Sequence, residues 1–79
     1  MKLIGTVIKN ARKNCGLTQK QLAKKVSLAD TTISSYERGN SEPDFKTIRK
    51  ILKVCGYDLV FINKANDKYI SVDKFSREI

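Results

Sequence analysis

Histidine and tryptophan are absent from this chain of 79 residues, and it has a single proline. Without histidine, the commonest metal ligand and the commonest general base near neutral pH are both missing. Cys15 and Cys55 lie far apart in sequence and form no metal-ligand spacing. They read as small apolar residues, buried or half-buried. No apolar run approaches the roughly 18 residues that cross a bilayer. The longest, Leu59 to Ile62, is strand-sized. The start, Met1-Lys2-Leu3-Ile4-Gly5, holds no apolar stretch of signal-peptide length, so a cytoplasmic protein is the expectation. No nucleophile stands beside a base, and there is neither a metal cluster nor a glycine-rich phosphate loop. An enzyme, a cofactor, a metal and a small-molecule site are therefore not expected. Such a length admits one domain. A chain this short buries only roughly 60% of its unfolded surface, so a second copy of itself would help its stability.

Acidic residues are also missing from the first 29 positions, where Lys2, Lys9, Arg12, Lys13, Lys20, Lys24 and Lys25 stand unopposed. Residues 30–56 carry five basic and four acidic groups, and residues 57–79 carry four of each. The net charge of +8 is therefore concentrated in the N-terminal part. A polyanion is the partner this favours, because basic residues that neutralise phosphates release counterions. A membrane surface would want a basic helix with an exposed apolar face, and here the apolar faces are needed for a core.

Periodicity predicts four helices. The first spans about Lys2 to Cys15, with Leu3, Ile4, Val7, Ile8 and Ala11 as one apolar stripe and Gly16 as a left-handed terminator. Leu17 anchors the linker. The second begins after Thr18, whose hydroxyl and Gln21 form a capping box. Its Leu22, Ala23 and Val26 face inward, and Lys20, Lys24 and Lys25 face out. A tight turn at Ser27-Leu28-Ala29 leads to the third helix, Asp30 to Arg38, with Ile33 and Tyr36 inward. This third helix is rich in β-branched and hydroxyl residues and is a weak helix former, so packing must hold it. Its short polar side chains make sense if they press against a partner. Gly39 ends it. After a loop with Pro43, Asp44 caps a fourth helix, Phe45 to Cys55, with Phe45, Ile48, Ile51, Leu52 and Val54 apolar, and Gly56 closes it. The period then changes. Residues 57–62 and 69–73 read as two strands around the polar turn Asn63 to Lys68. The tail from Lys74 to Ile79 is expected to fray.

The stretch Gly16-Leu17-Thr18-Gln19-x-x-Leu22-Ala23, then Ile33-Ser34-x-Tyr36-Glu37-x-Gly39 and Pro43, resembles the helix-turn-helix of phage repressors of the Cro and XRE type. The resemblance covers roughly residues 4–56. It implies a mainly α fold with a four-helix, lambda-repressor-like core. It also implies that the second helix crosses the DNA backbone while the third lies in the major groove. Asp30, Thr31, Ser34 and Ser35 are then the base-contact positions. Asp30 departs from the family's usual Arg, Gln or Lys. It is either an acceptor for a cytosine amine or, because Ala29 cannot cap, the cap of the helix. Arg12, Thr18, Gln19, Lys20, Arg38, Asn40 and Ser41 are the phosphate-contact positions. The family pattern also pairs Arg12 with Glu37 as a structural ion pair that aims the guanidinium at a phosphate.

The C-terminal strands lie outside that motif, and their placement is similar to HipB-type antitoxins, whose last strand pairs across a dimer. A lone two-stranded hairpin is barely stable in water, so the segment 57–79 is read as a strand or hairpin shared across a homodimer. Tyr57, Leu59, Phe61, Tyr69 and Ile70 would form that interface, with 1–56 as the DNA-binding part of one compact domain. The expected function is that of a sequence-specific double-stranded DNA-binding transcriptional regulator, a repressor on a palindromic operator. The alternative is a HipB-like antitoxin that also holds a toxin such as a HipA-like kinase.

Overall fold

A computed structural model of the chain describes residues 2–72. Four helices come first: α1 (Lys2–Asn14), α2 (Gln19–Lys25), α3 (Asp30–Arg38) and α4 (Phe45–Val54). Two strands follow, β1 (Val60–Ile62) and β2 (Tyr69–Ser71). The mainly helical fold ending in a small hairpin is the one expected. Asp73 and the tail 74–79 lie outside the described residues.

Each helix places one side chain wholly out of solvent: Ile8, Leu22, Ile33 and Ile51 are all 0% exposed. Full burial of such a side chain contributes roughly 1.5–3 kcal/mol. Ala11, Ala23, Val26, Leu52 and Cys55 complete the core, with Ile4, Leu17, Leu28, Tyr36, Ile48 and Leu59 packed around it.

The caps explain where the helices stop. Thr18 Oγ1 accepts from the Gln21 N–H at 3.0 Å, and the Thr18 N–H donates back to Gln21 Oε1 at 2.9 Å, so the capping box is present. Asp44 Oδ1 accepts from the Thr47 N–H at 2.8 Å and starts α4. Gly39, left-handed at φ 78°, donates to the Ser35 and Tyr36 carbonyls and ends α3. The cap of α3 is Ala29, which makes no side-chain cap hydrogen bond, and Asp30 is the first helical residue. The capping alternative for Asp30 is thereby corrected.

Other boundaries also shift. The helix α1 ends at Asn14 rather than Cys15, as Gly16 turns left-handed with its N–H on the Lys13 carbonyl. The strand expected from Tyr57 begins at Val60, because the Tyr57 N–H is committed to the Leu52 carbonyl at 2.8 Å, closing α4 after the left-handed Gly56. Leu3 and Val7 of the expected stripe stay exposed, as do Phe45 and Val54 of α4. The core is narrower than these apolar stripes. Cys15, expected buried or half-buried, is exposed.

The strands pair antiparallel, with Phe61 opposite Ile70, Val60 opposite Ser71 and Ile62 opposite Tyr69. The turn is tied by the Asn63 N–H to the Lys68 carbonyl and by Asn63 Oδ1, which accepts from the Ala65 N–H. Val60, Phe61, Ile62, Tyr69 and Ile70 are all exposed, so the hairpin leaves apolar side chains uncovered on both faces. Among the described residues, no helix is long and apolar enough to cross a membrane.

Candidate nucleic-acid interface

The turn between α2 and α3 sets the geometry of the candidate site. Ser27 adopts a left-handed backbone at φ 59°, and the Leu28 N–H donates to the Ala23 carbonyl at 2.9 Å. Leu28 packs on the core and holds the turn down. The helix α3 therefore leaves α2 at a fixed angle, anchored by Ile33 on its inner side.

Opposite Ile33, positions 31, 34, 35 and 38 recur at the spacing of one helical face. Thr31 and Arg38 are exposed, and Ser34 and Ser35 are half-buried. The face thus presents three hydroxyls and one guanidinium, without a large apolar side chain. Asp30 is exposed at its edge and lines an open depression together with Lys20, Lys24 and Leu28. Those two lysines set cationic charge beside its carboxylate.

The loop after α3 is tied to the same face. Ser35 Oγ and Ser41 Oγ share a hydrogen bond at 2.8 Å, and the Asn40 N–H donates to the Ser35 carbonyl at 3.0 Å. Asn40 and Ser41 are exposed next to Arg38. The Ser35–Ser41 tie has no local sequence signature. The serines lie on different elements, and only the Gly39 turn brings them together.

Behind α3 lies a buried ionic network. Arg12 Nε donates to Glu37 Oε2 at 2.6 Å and Nη2 to Glu37 Oε1 at 3.0 Å, a bidentate pair. Nη1 donates to the Leu17 carbonyl at 2.9 Å. Gln19 Nε2 adds a third donor to Glu37, at 3.1 Å from Oε1. One carboxylate of α3 is therefore gripped from α1 and α2 together. Burial alone would push the Glu37 carboxyl up, but the hydrogen bonds from Arg12 and Gln19, with the charges of Arg12 and Lys9, outweigh it and hold it below the usual range. The Glu37 hydrogen bond, against the cost of burial, keeps the Arg12 guanidinium charged beyond its ordinary value.

This geometry revises the expectation for Arg12. It is 8% exposed, and its donors point at Glu37 and Leu17, so it supports α3 from behind rather than facing a phosphate. Gln19 is half-buried and tied to Glu37, whereas Thr18 and Lys20 are exposed beside it. Lys9, Lys13, Lys24 and Lys25 are further exposed cations on α1 and α2.

Comparison with known proteins agrees with this arrangement. The helix-turn-helix family model matches residues 8–62. The chain is 29% identical over 75 residues to the HTH-type transcriptional regulator ImmR of Bacillus subtilis (strain 168), covering 95% of this chain and 54% of that protein. It is 41% identical over 51 residues to the HTH-type transcriptional regulator DicA of Escherichia coli (strain K12), covering 65% of this chain and 38% of that protein. Over 56 residues it is 38% identical to human Endothelial differentiation-related factor 1, covering 71% of this chain and 38% of that protein. The chain thus spans about half the length, or less, of these relatives.

Proposed function

The chain belongs to the helix-turn-helix family of Cro/XRE type, and from that premise we propose that it is a DNA-binding transcriptional regulator acting as a homodimer. Membership of a family of regulators carries with it a non-enzymatic role. The observation that supports the DNA reading most is the face of α3. It bears small hydroxyls, Thr31 exposed and Ser34 and Ser35 half-buried, and Lys20 and Lys24 of α2 lie beside its first residue, Asp30. Short polar side chains let a helix approach the base edges of the major groove closely.

In this reading Thr31, Ser34 and Ser35 read bases, and Thr31 offers a methyl group to thymine as well as a hydroxyl. Asp30, at the edge, accepts from a cytosine amine. Thr18, Gln19, Lys20, Arg38, Asn40 and Ser41 bracket the groove at the phosphates. Arg12 acts through Glu37. Short donors discriminate weakly, so DNA shape supplies part of the specificity.

The hairpin supplies the second copy. Residues 1–56 serve as the DNA-binding unit and 57–79 as the pairing segment, with Tyr57, Leu59, Phe61, Tyr69 and Ile70 at the contact. Two-fold symmetry then calls for a palindromic operator with half-sites about 34 Å apart. A dimer seated on a promoter in the cytoplasm blocks it by occupancy, which makes repression the simplest outcome. The uncovered hairpin is also the feature that favours the antitoxin reading, in which it holds a larger protein. Co-purification of the chain with the product of a neighbouring reading frame separates the two.

The test is a binding-site selection with the purified protein, followed by gel shifts of the winning site at two salt concentrations. A palindromic winner that outcompetes random DNA is expected. Binding without saturable preference overturns the proposal.

A further inference from the structure

An open groove of about 380 Å³ runs between α1, the end of α4 and the root of the hairpin. Val7 and Ala11 line it from α1, Leu52 from α4, and Leu59 and Val60 from the chain entering β1. Asn10 and Asp58 add polar groups to the lining. The apolar surface continues past both ends of this groove. On α1, Leu3 stands one turn before Val7 and is 69% exposed. On the hairpin, residues two apart share a face, as do directly opposed residues of the two strands. Val60, Ile62 and Tyr69 therefore lie on one face, with Ile62 opposite Tyr69. Exposure along that face rises from 36% at Val60, in the groove, to 62% at Ile62 and 67% at Tyr69. The hairpin thus carries an apolar face outward beyond the groove, and its far end stays uncovered.

We propose that the groove is a docking site for a second copy of this chain. The partner's Tyr69 seats in it, and the exchange is made twice about a two-fold axis. This rests on the homodimer reading above and adds α1 and the end of α4 to the interface. Symmetry supports it. Two hairpin edges paired antiparallel about an axis normal to the sheet keep corresponding faces on the same side. The faces that carry Tyr69 then both lie toward the helices, and each far end reaches across to the neighbour's groove.

Charge selects the same occupant. Each copy carries +8, so two copies repel unless they meet where charge is low. Residues 57–79 are balanced, and α1 turns uncharged side chains, Val7, Asn10, Ala11 and Asn14, into the groove. A polyanion gains nothing there. Asp58 stands in the groove, and Lys68 directly precedes Tyr69 in the chain, so an incoming hairpin brings an ammonium toward a carboxylate. Tyrosine also fits the lining. Its ring is apolar, and its hydroxyl needs a hydrogen-bond partner once buried, which Asn10 or Asp58 can supply. The consequence reaches the DNA-facing side. The helix α1 is joined to α3 by the Arg12–Glu37 pair. A partner hairpin docked on α1 therefore sets the distance between the two α3 helices, and with it the half-site spacing.

The full-length chain is its own probe, and no DNA is added. Sedimentation of the unsubstituted protein comes first, and a dimer is expected. Val7→Cys and Tyr69→Cys are then made in separate chains that also carry Cys15→Ser, one chain is labelled with nitrogen-15, and the two are mixed and mildly oxidised. Intact mass should show the mixed Val7–Tyr69 link ahead of self-links at either position. As a second measurement, Val7→Glu, at a site already open to solvent, should keep its helical content by circular dichroism. Its dimer should be weakened roughly tenfold or more, because the carboxylate meets an apolar face. The proposal is overturned if self-links predominate, or if Val7→Cys links instead to Phe75→Cys in the tail. It is equally overturned if Val7→Glu dimerises as tightly as the unsubstituted chain. Each of these results leaves the homodimer standing and removes only the groove. A chain that stays monomeric at every concentration overturns both.

Discussion

Gly5 on α1 meets the Tyr36 carbonyl on α3 with no space between them for a methyl group. A Cβ at Gly5 would overlap the Tyr36 oxygen and stand 3.0 Å from the Glu37 oxygen. Both obstacles are backbone, which cannot swing aside as a side chain does. The contact sets how closely the candidate recognition helix approaches α1. Alanine in a helix interior is ordinarily favoured over glycine by nearly 1 kcal/mol. Here overpacking is expected to reverse that sign, and Gly5→Ala should lose about 1–3 kcal/mol net. Urea unfolding of the two proteins measures it. A midpoint equal to or above that of the unsubstituted chain would show that α1 and α3 separate without cost.

Acid should attack the same junction. The Glu37 carboxyl is held below its ordinary range, with Arg12 and Gln19 overcoming burial. A carboxylate depressed in the folded state adds stability that is fully present above its unfolded value, about 4.3. That stability is lost as pH falls through the folded value. The thermal midpoint should therefore be level near neutral pH and fall below about pH 4.3. Asp44, also held low by its hydrogen bonds to Thr47, acts in the same direction but is fully solvent-exposed, so its share is small. Glu37→Gln should flatten the acid limb while lowering the midpoint at neutral pH, because Arg12 is then left buried without its counter-charge. Midpoints scanned from neutral to acid pH decide this. Equal acid limbs in both proteins would place the sensitivity elsewhere.

Much of this fold was legible because its signals are local. Thr18 with Gln21, Asp44, Gly16, Gly39 and Gly56 mark helix ends within a few residues of themselves, and Ile8, Leu22, Ile33 and Ile51 stand at helical spacing. The Arg12–Glu37 pair followed from resemblance to a family, since no spacing rule joins residues on different helices. What stayed hidden depends on how the helices pack. The approach of Gly5 to Tyr36, the Asn14–Tyr57 tie and the third grip of Gln19 on Glu37 each join elements that are remote in sequence. Leu3 and Val7 misled for the complementary reason. Their spacing matches a buried stripe, but the core facing α1 is only wide enough for Ile4, Ile8 and Ala11.

If α3 reads DNA, its hydroxyl face can be blunted without unfolding the protein. Thr31 is exposed and Ser35 half-buried, so Thr31→Ala with Ser35→Ala should barely move the thermal midpoint. The Ser35 change also removes the tie to Ser41. Binding to the selected operator should weaken roughly tenfold or more, given the ~1–3 kcal/mol that a good base contact supplies. Binding to random DNA should hardly change, because phosphate contacts carry it. Competition gel shifts read both affinities. An equal loss on both DNAs would remove α3 from the groove.

The hairpin offers the sharpest test of self-association. Phe61 faces Ile70 across the two strands, and the two are 58% and 54% exposed in the single chain. Among the described residues, Ile70 is the residue paired with Phe61 across the strands, a contact worth roughly 0.2–1 kcal/mol. The four-helix core, centred on Ile8, Leu22, Ile33 and Ile51, lies apart from it. Phe61→Glu should therefore leave helical content and thermal midpoint nearly intact at high dilution. In a shared sheet, however, the same carboxylate would be buried against its symmetry mate, and like charges in an apolar contact oppose association strongly. Sedimentation should then find dimers of the unsubstituted chain and monomers of the variant. Operator affinity should fall with the mass, since one half-site keeps only part of the contacts. A variant that still sediments as a dimer would move the interface off the hairpin, and the exposed Leu3 and Val7 of α1 would be the next surface to test.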